Sequence, residues 1–208
     1  NLDYPNQKVV FKPRDGRGSR GVLICDSNKK KFKSLLENRF CGTGNFQSIK
    51  KELKKKKITF KNYLALPHYK NDISDIDCIS VKGHVTDIVI RLRQLKNPLS
   101  PTSTGHMIKM DNKIIEYVKR ICLILKIHGP CDFDIVKDDL GIPILLDAGS
   151  RFSGSVGCSA VSGYNIISQL IRLYLKIPMK KYKIKDNLPL RPFLTMGEIP
   201  KANKDYLL

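Results

Sequence analysis

The sequence lacks tryptophan, long apolar runs and a balance of charge. Its 208 residues contain 38 Lys and Arg against 19 Asp and Glu, which gives a formal net charge of +19. No apolar run reaches the roughly 18 residues that a membrane-spanning helix needs, and the polar residues 1–7 do not resemble a signal peptide. The hydrophobic fraction of 41% is typical of globular proteins, which excludes general disorder and collagen-like repeats. We expect a soluble protein of one or two domains.

Closely spaced cysteine pairs are also missing. The chain has six cysteines, at positions 25, 41, 78, 122, 131 and 158, and most of them lie in apolar runs. Without C-x-x-C pairs we do not expect a zinc site, and a chain of this length does not need a disulfide framework. We therefore expect buried thiols and a reducing, cytoplasmic setting.

The excess of positive charge makes nucleic-acid binding one alternative for the function. The lysines are spread over the whole chain, and the densest run, Lys50 to Lys57, is interrupted only by Glu52 and Leu53. Such a run is typical of a solvated helix face or a loop. Few aromatic side chains stand among the lysines to stack on bases, so the charge pattern disfavours this alternative without removing it.

Hydrophobic periodicity predicts interspersed strands and helices. Strands are predicted at 7–12, 20–25, 60–66, 73–81, 84–93, 131–137 and 143–148. Helices are predicted at 28–40, 112–126 and 166–177, the first two with Ser27 and Asp111 as N-caps. A loop rich in Pro, Ser and Thr is predicted at 97–106. Because the elements do not alternate as β-α-β units, the pattern favours an α+β fold.

A glycine-rich loop at residues 16–21 (GRGSRG) matches the pattern G-x-G-x-x-G. In dinucleotide-binding proteins, a loop of that pattern is followed by a helix. Here the loop is followed by the apolar run 21–25, which is typical of a strand. The Walker-type phosphate loop is excluded as well, because no Gly-Lys-Ser/Thr follows. Two interpretations remain: a flap whose backbone N–H groups close over phosphates, or a mobile hairpin without a ligand.

Two aspartates are predicted to face each other across a hairpin. Asp134 and Asp147 lie on the strands that flank the turn at 138–141, and in one register they are directly opposed. Opposed like charges destabilise a sheet, and Mg²⁺ removes that cost because it prefers one or two carboxylates with phosphate oxygens. Arg151, four residues after Asp147, is suited to bind a phosphoryl group beside the metal. The alternative is a pair of exposed carboxylates satisfied by water or lysine.

Together these motifs resemble the ATP-grasp enzymes, and most closely their carbamoyl-phosphate-synthase-like branch. Residues 9–22 (VVFKPRDGRGSRGV) resemble the hairpin that carries the family's lysine and glycine loop. Residues 145–154 (LLDAGSRFSG) resemble its E-x-N-x-R…S-G metal and phosphate motif, and residues 163–165 (GYN) resemble its usual continuation. The resemblance covers roughly residues 7–177, with the motifs in the expected order.

The resemblance implies which residues bind the nucleotide. Lys12 would contact the phosphates and contribute to catalysis, and the flap would close over them through Gly16, Gly18, Ser19 and Gly21.

It also implies where the adenine binds. Residues 64–69 match the hinge segment that receives adenine between two lobes, with Leu66, Pro67 and His68 at its centre. The family usually has a glutamate near this point. With Pro67 there instead, adenine would bind to backbone groups.

Further charged residues are implied on the two strands after the hinge. A ribose-binding acid is expected there, and Asp75 is preferred over Asp72 or Asp77. Arg91 or Arg93, on the neighbouring strand, would add positive charge near the nucleotide.

The metal and phosphoryl sites follow from the second motif. The resemblance implies that Asp134 and Asp147 hold Mg²⁺ and that Arg151 stabilises the transferred phosphoryl group. In one position the chain departs from the family, because Gly149 stands where a metal-binding asparagine is usual. Asp147 is also one methylene shorter than the usual glutamate. The resemblance therefore implies ATP binding more strongly than it implies catalytic turnover.

The implied architecture is the ATP-grasp fold, with a small lobe at 1–66, a large lobe at 67–208, and ATP between antiparallel sheets. The implied function is an ATP-dependent carboxylate–amine ligase that works through an acyl phosphate. An ATP-binding module without turnover and a nucleic-acid-binding protein remain as alternatives. The expected partners are ATP, Mg²⁺, a small-molecule carboxylate and a substrate domain that precedes the lobes or lies in a partner chain. No membrane partner is expected.

Overall fold

The computed structural model describes residues 2–16, 18–36, 39–94, 105–181 and 183–190. These residues form two β-sheets and four α-helices. Residues 97–104 of the predicted loop lie outside the described residues, and its last two residues, 105 and 106, begin a strand instead. Arg17 and the tail beyond Leu190 also lie outside the described residues. No helix in the described ranges is both long and apolar enough to cross a membrane.

The first sheet has five strands. They are β1 (Val9–Pro13), β2 (Leu23–Cys25), β3 (Lys33–Ser34), β4 (Gly42–Gly44) and β5 (Tyr63–Pro67), the last preceded by a 3-10 helix at Phe60–Asn62. The spatial order is β3-β4-β2-β1-β5. Neighbouring strands are antiparallel except β2 and β4, which run parallel.

Helix α1 (Phe46–Lys55) packs on this first sheet. Asn45 begins it as the N-cap, because its side-chain oxygen accepts a hydrogen bond from the Ser48 backbone N–H at 2.8 Å. Ile49 and Leu53, four residues apart, are buried against the sheet. The lysines of the Lys50–Lys57 run are all exposed, so the run is the solvated face and C-terminal end of this helix.

The helix predicted over 28–40 is wrong. The described residues of this segment, 28–36 and 39–40, have turns and irregular backbone, with strand β3 as their regular element. Phe32 and Phe40 still pack against the first core, with ring centroids 6.1 Å apart. Gly42 permits this packing, since a Cβ there would lie 2.2 Å from Cζ of the Phe32 ring. The spacing of the two aromatic residues thus fits a helical period, but their packing on the core is achieved from backbone that is not helical.

The second sheet has six strands, and every neighbouring pair is antiparallel. They are β6 (Ile73–Val81), β7 (His84–Gln94), β8 (Gly105–Ile108), β9 (Gly129–Lys137), β10 (Pro143–Gly149) and β11 (Leu188–Leu190). Their spatial order is β10-β9-β6-β7-β8-β11. The predicted hairpins at 73–93 and 131–148 are confirmed, and with them the α+β fold class.

Three further helices belong to this part of the chain: α2 (Asn112–Leu125), α3 (Gly157–Val161) and α4 (Ile166–Tyr174). Asp111 caps α2 as predicted, and its Oδ1 accepts hydrogen bonds from two backbone N–H groups at 3.0 and 3.2 Å. Asn165 caps α4 in the same way. The helix predicted to end at Ile177 stops three residues earlier, and α3 was not predicted from the sequence.

Residues on β9 alternate between the two faces of the second sheet. Cys131, Phe133 and Ile135 are buried in a core that includes the apolar side of α2. Asp132 and Asp134 lie on the opposite face, because successive side chains of a strand point to opposite sides. The face that carries these aspartates is turned toward the first sheet, and it holds the candidate site.

Candidate active site

A cleft of about 780 Å³ lies between the two sheets. Most of the residues predicted from the sequence line it: Lys12, Gly16, Gly18, Ser19, Leu66, Pro67, His68, Asp75, Asp134, Asp147 and Arg151. Arg93, one of the two candidates on β7, lines it as well. Gly21 and Arg91 do not line the cleft. The structure therefore brings the flap, the hinge segment and the acidic hairpin to one place.

A row of three aspartates crosses the second sheet at the base of the cleft. Asp75 on β6 is paired with Asp134 on β9, which is paired in turn with Asp147 on β10. The predicted opposition of Asp134 and Asp147 is therefore confirmed. The register shifts between Leu145 and Asp147, which adds one residue to β10 just before the row. Three neighbouring carboxylates concentrate negative charge at this level of the cleft.

Arg93 compensates part of that charge. Its Nε lies 2.8 and 2.9 Å from the two carboxylate oxygens of Asp75, and its Nη2 lies 2.7 Å from Asp134 Oδ1. Burial alone would raise the pKa of Asp75, but the hydrogen bonds and charge of Arg93 outweigh burial and lower it. Asp75 is only 3% exposed, so it is committed to an internal ion pair.

Asp134 has a different electrostatic environment. Burial, together with the negative charge of Asp75, raises the pKa of Asp134 to about 7, although Arg93 opposes the shift. About 31% of the Asp134 side chain remains exposed to the cleft, against 4% for Asp75. Asp134 is therefore the member of this pair that a ligand can reach, and near neutral pH it exchanges a proton.

A second row lies two residue pairs further along the sheet and contains Asp132, which the sequence argument missed. Asp132 is paired with Asp77 on β6 and with Gly149 on β10. Its Oδ1 is buried without a hydrogen-bond partner in the described structure. Burial raises the pKa of Asp132, and the charges of Asp77 and Asp147 add to this while Arg151 opposes it. A carboxylate that has an unpaired buried oxygen and lies beside other negative charges is suited to bind a cation.

Lys12 spans the cleft from β1 to β10. Its Nζ lies 2.8 Å from Asp147 Oδ1 and donates a hydrogen bond to the carbonyl oxygen of Leu146 at 2.9 Å. The Lys12 side chain is 28% exposed and that of Asp147 is 60% exposed, so both remain accessible from the cleft. The two residues predicted to bind phosphate and metal therefore neutralise each other across the cleft in this structure.

Arg151 lies at the mouth of the cleft, directly after β10. Its Nη1 donates a hydrogen bond to the carbonyl oxygen of Phe152 at 2.6 Å and lies 3.4 Å from Asp132 Oδ2. The side chain is 70% exposed. Its guanidinium group is thus positioned next to the second row of carboxylates, with donors left for an anionic ligand.

Gly21 shapes the flap from outside the cleft. Its φ of +79° lies in the left-handed region, and a Cβ there would lie 2.5 Å from Cγ of Pro13. Its backbone N–H donates to the carbonyl oxygen of Phe40 at 2.5 Å. Gly18, also at positive φ, accepts a hydrogen bond on its carbonyl oxygen from Arg39 Nη1 at 2.7 Å. The flap conformation therefore depends on glycine at these two positions.

Arg91 lies inside the protein instead of facing the cleft. It is fully buried and forms an ion pair with Asp77, and its Nη2 donates a hydrogen bond to Ser153 Oγ at 2.7 Å. Asp77 also accepts a hydrogen bond from the Ser153 backbone N–H at 2.7 Å. Because Ser153 lines the cleft, this buried pair holds the segment that follows Arg151.

The hinge segment forms β5 and the first residues beyond it. Leu66, Pro67 and His68 line the cleft, and the His68 backbone N–H donates to the carbonyl oxygen of Lys8 at 3.2 Å. Burial, helped by the charge of Lys8, lowers the pKa of His68, so the imidazole is neutral at physiological pH. Ile73 and Val136 add apolar surface to the same part of the cleft.

A signal for Asp132 was present in the sequence. The run Cys131-Asp132-Phe133-Asp134-Ile135 alternates apolar and acidic residues, and a strand period of two places both aspartates on one face. The pairing of Arg93 with Asp75 carries no comparable signal, because it depends on the register between β6 and β7.

The fold is similar to that of several enzymes of known structure. The L-amino acid ligase from Bacillus licheniformis aligns with a TM-score of 0.54 at 18% identity, over 85% of this chain and 40% of that chain. N5-carboxyaminoimidazole synthetase from Staphylococcus aureus, complexed with ADP, aligns with a TM-score of 0.60 at 11% identity, over 86% and 44%. The biotin carboxylase domain of Hydrogenobacter thermophilus 2-oxoglutarate carboxylase, in complex with MgADP, ADP and bicarbonate, aligns with a TM-score of 0.57 at 14% identity, over 87% and 40%.

These similarities show a shared fold, and they confirm the predicted ATP-grasp architecture. The chain spans 40 to 44% of the length of these three structures. No curated protein sequence matches the chain significantly.

The family described as ATP-grasp in the biosynthetic pathway with Ter operon matches residues 59–193, which is well over half of the 208 residues. The chain therefore belongs to this ATP-grasp family.

Proposed function

We propose that the chain is the ATP- and Mg²⁺-binding part of an ATP-dependent ligase. The observation that carries the proposal is the meeting of Lys12, Asp132, Asp147 and Arg151 in one cleft, which the flap and the hinge segment also line. Phosphoryl transfer needs little covalent help from a protein and depends on positioning and charge neutralisation. These four side chains supply the cationic and anionic groups that Mg²⁺-ATP requires.

The nucleoside would bind at the hinge. Leu66, Pro67 and His68 can offer backbone groups to the adenine, and Ile73 and Val136 can cover its faces. This pose directs the phosphates toward Lys12 on β1 and toward the flap.

The ribose contact is reassigned in this proposal. Asp75 was the sequence-based choice, but its carboxylate is buried against Arg93. Asp134 lies next to it and is partly exposed, so we propose that Asp134 contacts the ribose hydroxyls while Asp75 positions Arg93.

Asp132 and Asp147 are proposed to hold Mg²⁺. The orphaned Asp132 Oδ1 and the accessible Asp147 carboxylate fit an ion that prefers one or two carboxylates with phosphate oxygens and water. When bound, Mg²⁺ would neutralise charge on the ATP phosphates. The sequence argument assigned this role to Asp134, but Asp134 is bound to Arg93 in the neighbouring row. Gly149 contributes no ligand, and its lack of a side chain leaves room for Asp132.

The proposed reaction is ligation through an acyl phosphate. A substrate carboxylate attacks the γ-phosphate of ATP, which gives ADP and an acyl phosphate, and an amine then displaces phosphate to form an amide bond. Lys12 would neutralise phosphate charge as a point charge, whereas the planar guanidinium of Arg151 would direct donors at the transferred group. The buried Asp77–Arg91 pair would keep the segment after Arg151 in place.

We also propose to which branch of the ATP-grasp enzymes the chain is functionally related. The two motifs are closest to the carbamoyl-phosphate-synthase-like branch, and we propose this branch as the chain's nearest functional relation. Because the chain spans less than half the length of the structures compared, the carboxylate and the nucleophile would be bound with the help of a further domain or partner chain.

Calorimetric titration with Mg²⁺-ATP tests the site. Lys12→Ala, Asp132→Asn and Asp147→Asn should each weaken binding by about tenfold or more, because each removes a charge-assisted contact worth about 1.5–3 kcal/mol. Lys119→Ala on α2 and Asp139→Asn on the β9–β10 turn remove exposed charges outside the cleft and serve as matched controls. Unchanged affinity in both the Lys12 and Asp147 variants would contradict the proposed site.

A nucleotide-binding module without turnover is the second candidate, and Gly149 is the observation that favours it. The experiment that separates the two candidates measures ADP formation with a panel of carboxylates, with and without amines. ADP formation that depends on a carboxylate supports the ligase. Tight Mg²⁺-ATP binding without ADP formation across the panel supports the module.

A further inference from the structure

Three buried cysteines converge in the core of the second sheet, on the face opposite the cleft. Cys78 on β6 and Cys131 on β9 are directly opposed, and their Sγ atoms lie 3.1 Å apart. Cys122 reaches the same point from α2, and the three sulfur atoms all lie within 4.8 Å of one another. Each residue is at most 1% exposed. Cys78, Cys122 and Cys131 are called the thiol cluster below.

We propose that the thiol cluster is a three-coordinate site for a soft, thiophilic ion, and that a trivalent metalloid such as arsenic(III) is its preferred ligand. This site is separate from the proposed ATP site, so neither proposal depends on the other.

The spacing of the sulfur atoms fits a trigonal centre. Bonds of about 2.3 Å to three sulfurs around a pyramidal centre, the shape that the lone pair of arsenic(III) imposes, place the sulfurs about 3.4 Å apart. The cluster brackets this value, from 3.1 Å for the closest pair to the 4.8 Å limit that contains all three. Small side-chain rotations are therefore sufficient to complete the site.

The surroundings exclude a tetrahedral zinc site. Structural zinc takes four protein ligands, and among the described residues no histidine or carboxylate joins this group of three cysteines. Apolar side chains surround the sulfurs, including Ile76, Ile90, Val118 and Phe133. A water molecule as the fourth ligand would lack polar partners among these side chains, and the Ser80 hydroxyl, which lies next to Cys122, already donates its hydrogen bond to the carbonyl oxygen of Ile127. The site is therefore three-coordinate.

Charge balance selects the kind of ion. An uncompensated charge is costly in an apolar core. Three thiolates leave a net charge of −2 with copper(I) and −1 with zinc, whereas a trivalent centre gives a neutral complex. Arsenous acid and three thiols yield the trithiolate and three water molecules, since each thiol proton leaves with one hydroxide. Arsenic stays trivalent, so the reaction needs no oxidant or reductant.

The end of α2 provides a route to the cluster. Cys122 lies in the last turn of α2, and the residues that follow it, Leu123, Ile124 and Leu125, are 54–71% exposed. Helix ends open at low free-energy cost, so fraying of this turn admits a small solute.

The test titrates reduced, unmodified protein with sodium arsenite in the absence of oxygen. We expect one arsenic per chain, and X-ray absorption of the bound arsenic should show three sulfur neighbours at a single distance. This measurement needs no variant and therefore does not depend on a variant's folding. Absence of binding, or fewer than three sulfur neighbours, would overturn the proposal.

Variants then identify the three ligands. Cys122→Ala should weaken arsenite binding by at least about tenfold. At metal sites, loss of a residue that only hydrogen-bonds a ligand already costs that much. Cys41→Ala removes a cysteine that is equally buried but lies outside the cluster, and it should leave the affinity unchanged. Circular dichroism establishes that both variants are folded. Equal affinity in the two variants would assign the binding to other thiols and refute the site.

Discussion

Asp132 Oδ1 lies 2.0 Å from the position that a Cβ would take on Gly149, so these two residues share one space. They face each other in register on β9 and β10. In the motif that residues 145–154 resemble, a metal-binding asparagine is usual at the position of Gly149, and here the carboxylate of the neighbouring strand fills the volume that a side chain there would need. The departure at Gly149 and the position of Asp132 are therefore one structural feature.

A side chain at position 149 should destabilise the protein. Gly149→Ala forces the Asp132 carboxylate to move, and overpacking of this kind typically costs about 1–3 kcal/mol of unfolding free energy. Gly157→Ala is the matched control, because no atom lies within 4 Å of a Cβ there. Urea unfolding of the two variants measures the difference.

The double variant Asp132→Ala/Gly149→Ala tests the cause of that loss. If the two side chains compete for one space, the double variant should recover most of the stability lost by Gly149→Ala. A double variant in which the two losses simply add would show that the strain at position 149 has another origin.

Lys12→Ala should separate binding from stability. The Lys12–Asp147 pair is partly exposed, and pairs of this kind contribute about 0–1 kcal/mol, so the unfolding free energy should change little. Mg²⁺-ATP affinity should fall by about tenfold or more, because the lysine would contact the phosphates directly. Denaturant unfolding and calorimetry on the same variant give both quantities. A large stability loss with unchanged affinity would identify Lys12 as a structural residue.

Local patterns in the sequence predicted the second sheet well. The strands at 73–81, 84–93, 131–137 and 143–148 and the helices after Asp111 and Asn165 carry regular alternation or clear caps. The error at 28–40 has a tertiary cause, since Phe32 and Phe40 pack on the first core from irregular backbone. The helix that follows this segment, α1, begins at Phe46 after the Asn45 cap, and its lysine run predicted only a helix face or a loop.

The site was predictable only where a single strand or motif defines it. Lys12, the flap and Asp147 lie in contiguous motifs, and the structure places them in one cleft. The grouping of Asp75 with Arg93 depends on pairing between strands, which local sequence does not specify. Asp134 and Asp132 lie two residues apart on β9, and both fit the strand period equally well.

Arg93→Met should strongly destabilise the fold. The variant leaves the buried Asp75 carboxylate without its arginine partner, with His106 Nδ1 still 3.6 Å away, and breaking a buried pair in this way costs about 3–5 kcal/mol. The matched control is Lys119→Met, which breaks the exposed pair with Glu116 on α2 and should cost at most about 0.5 kcal/mol. Thermal and urea unfolding at neutral pH compare the two. Similar losses in both variants would show that the Asp75–Arg93 pair is not a buried electrostatic contact.

The raised pKa of Asp134 predicts a stability change between about pH 4 and pH 7. Burial raises this pKa from 3.8 to about 7, so across that window the folded state binds a proton that the unfolded state has lost. The contribution of Asp134 to stability must therefore decrease as pH rises from about 4 to about 7, and stay constant outside that range. Asp134→Asn, which carries no charge at any pH, should gain stability relative to the unmodified protein across this window. Asp139→Asn, on the exposed turn after β9, should show no such gain. Urea unfolding at a series of pH values gives the differences, and the carboxyl ¹³C shift of Asp134 reports its titration directly. A midpoint near 4 for that carboxyl signal would contradict the electrostatic account of the Asp75–Arg93–Asp134 group.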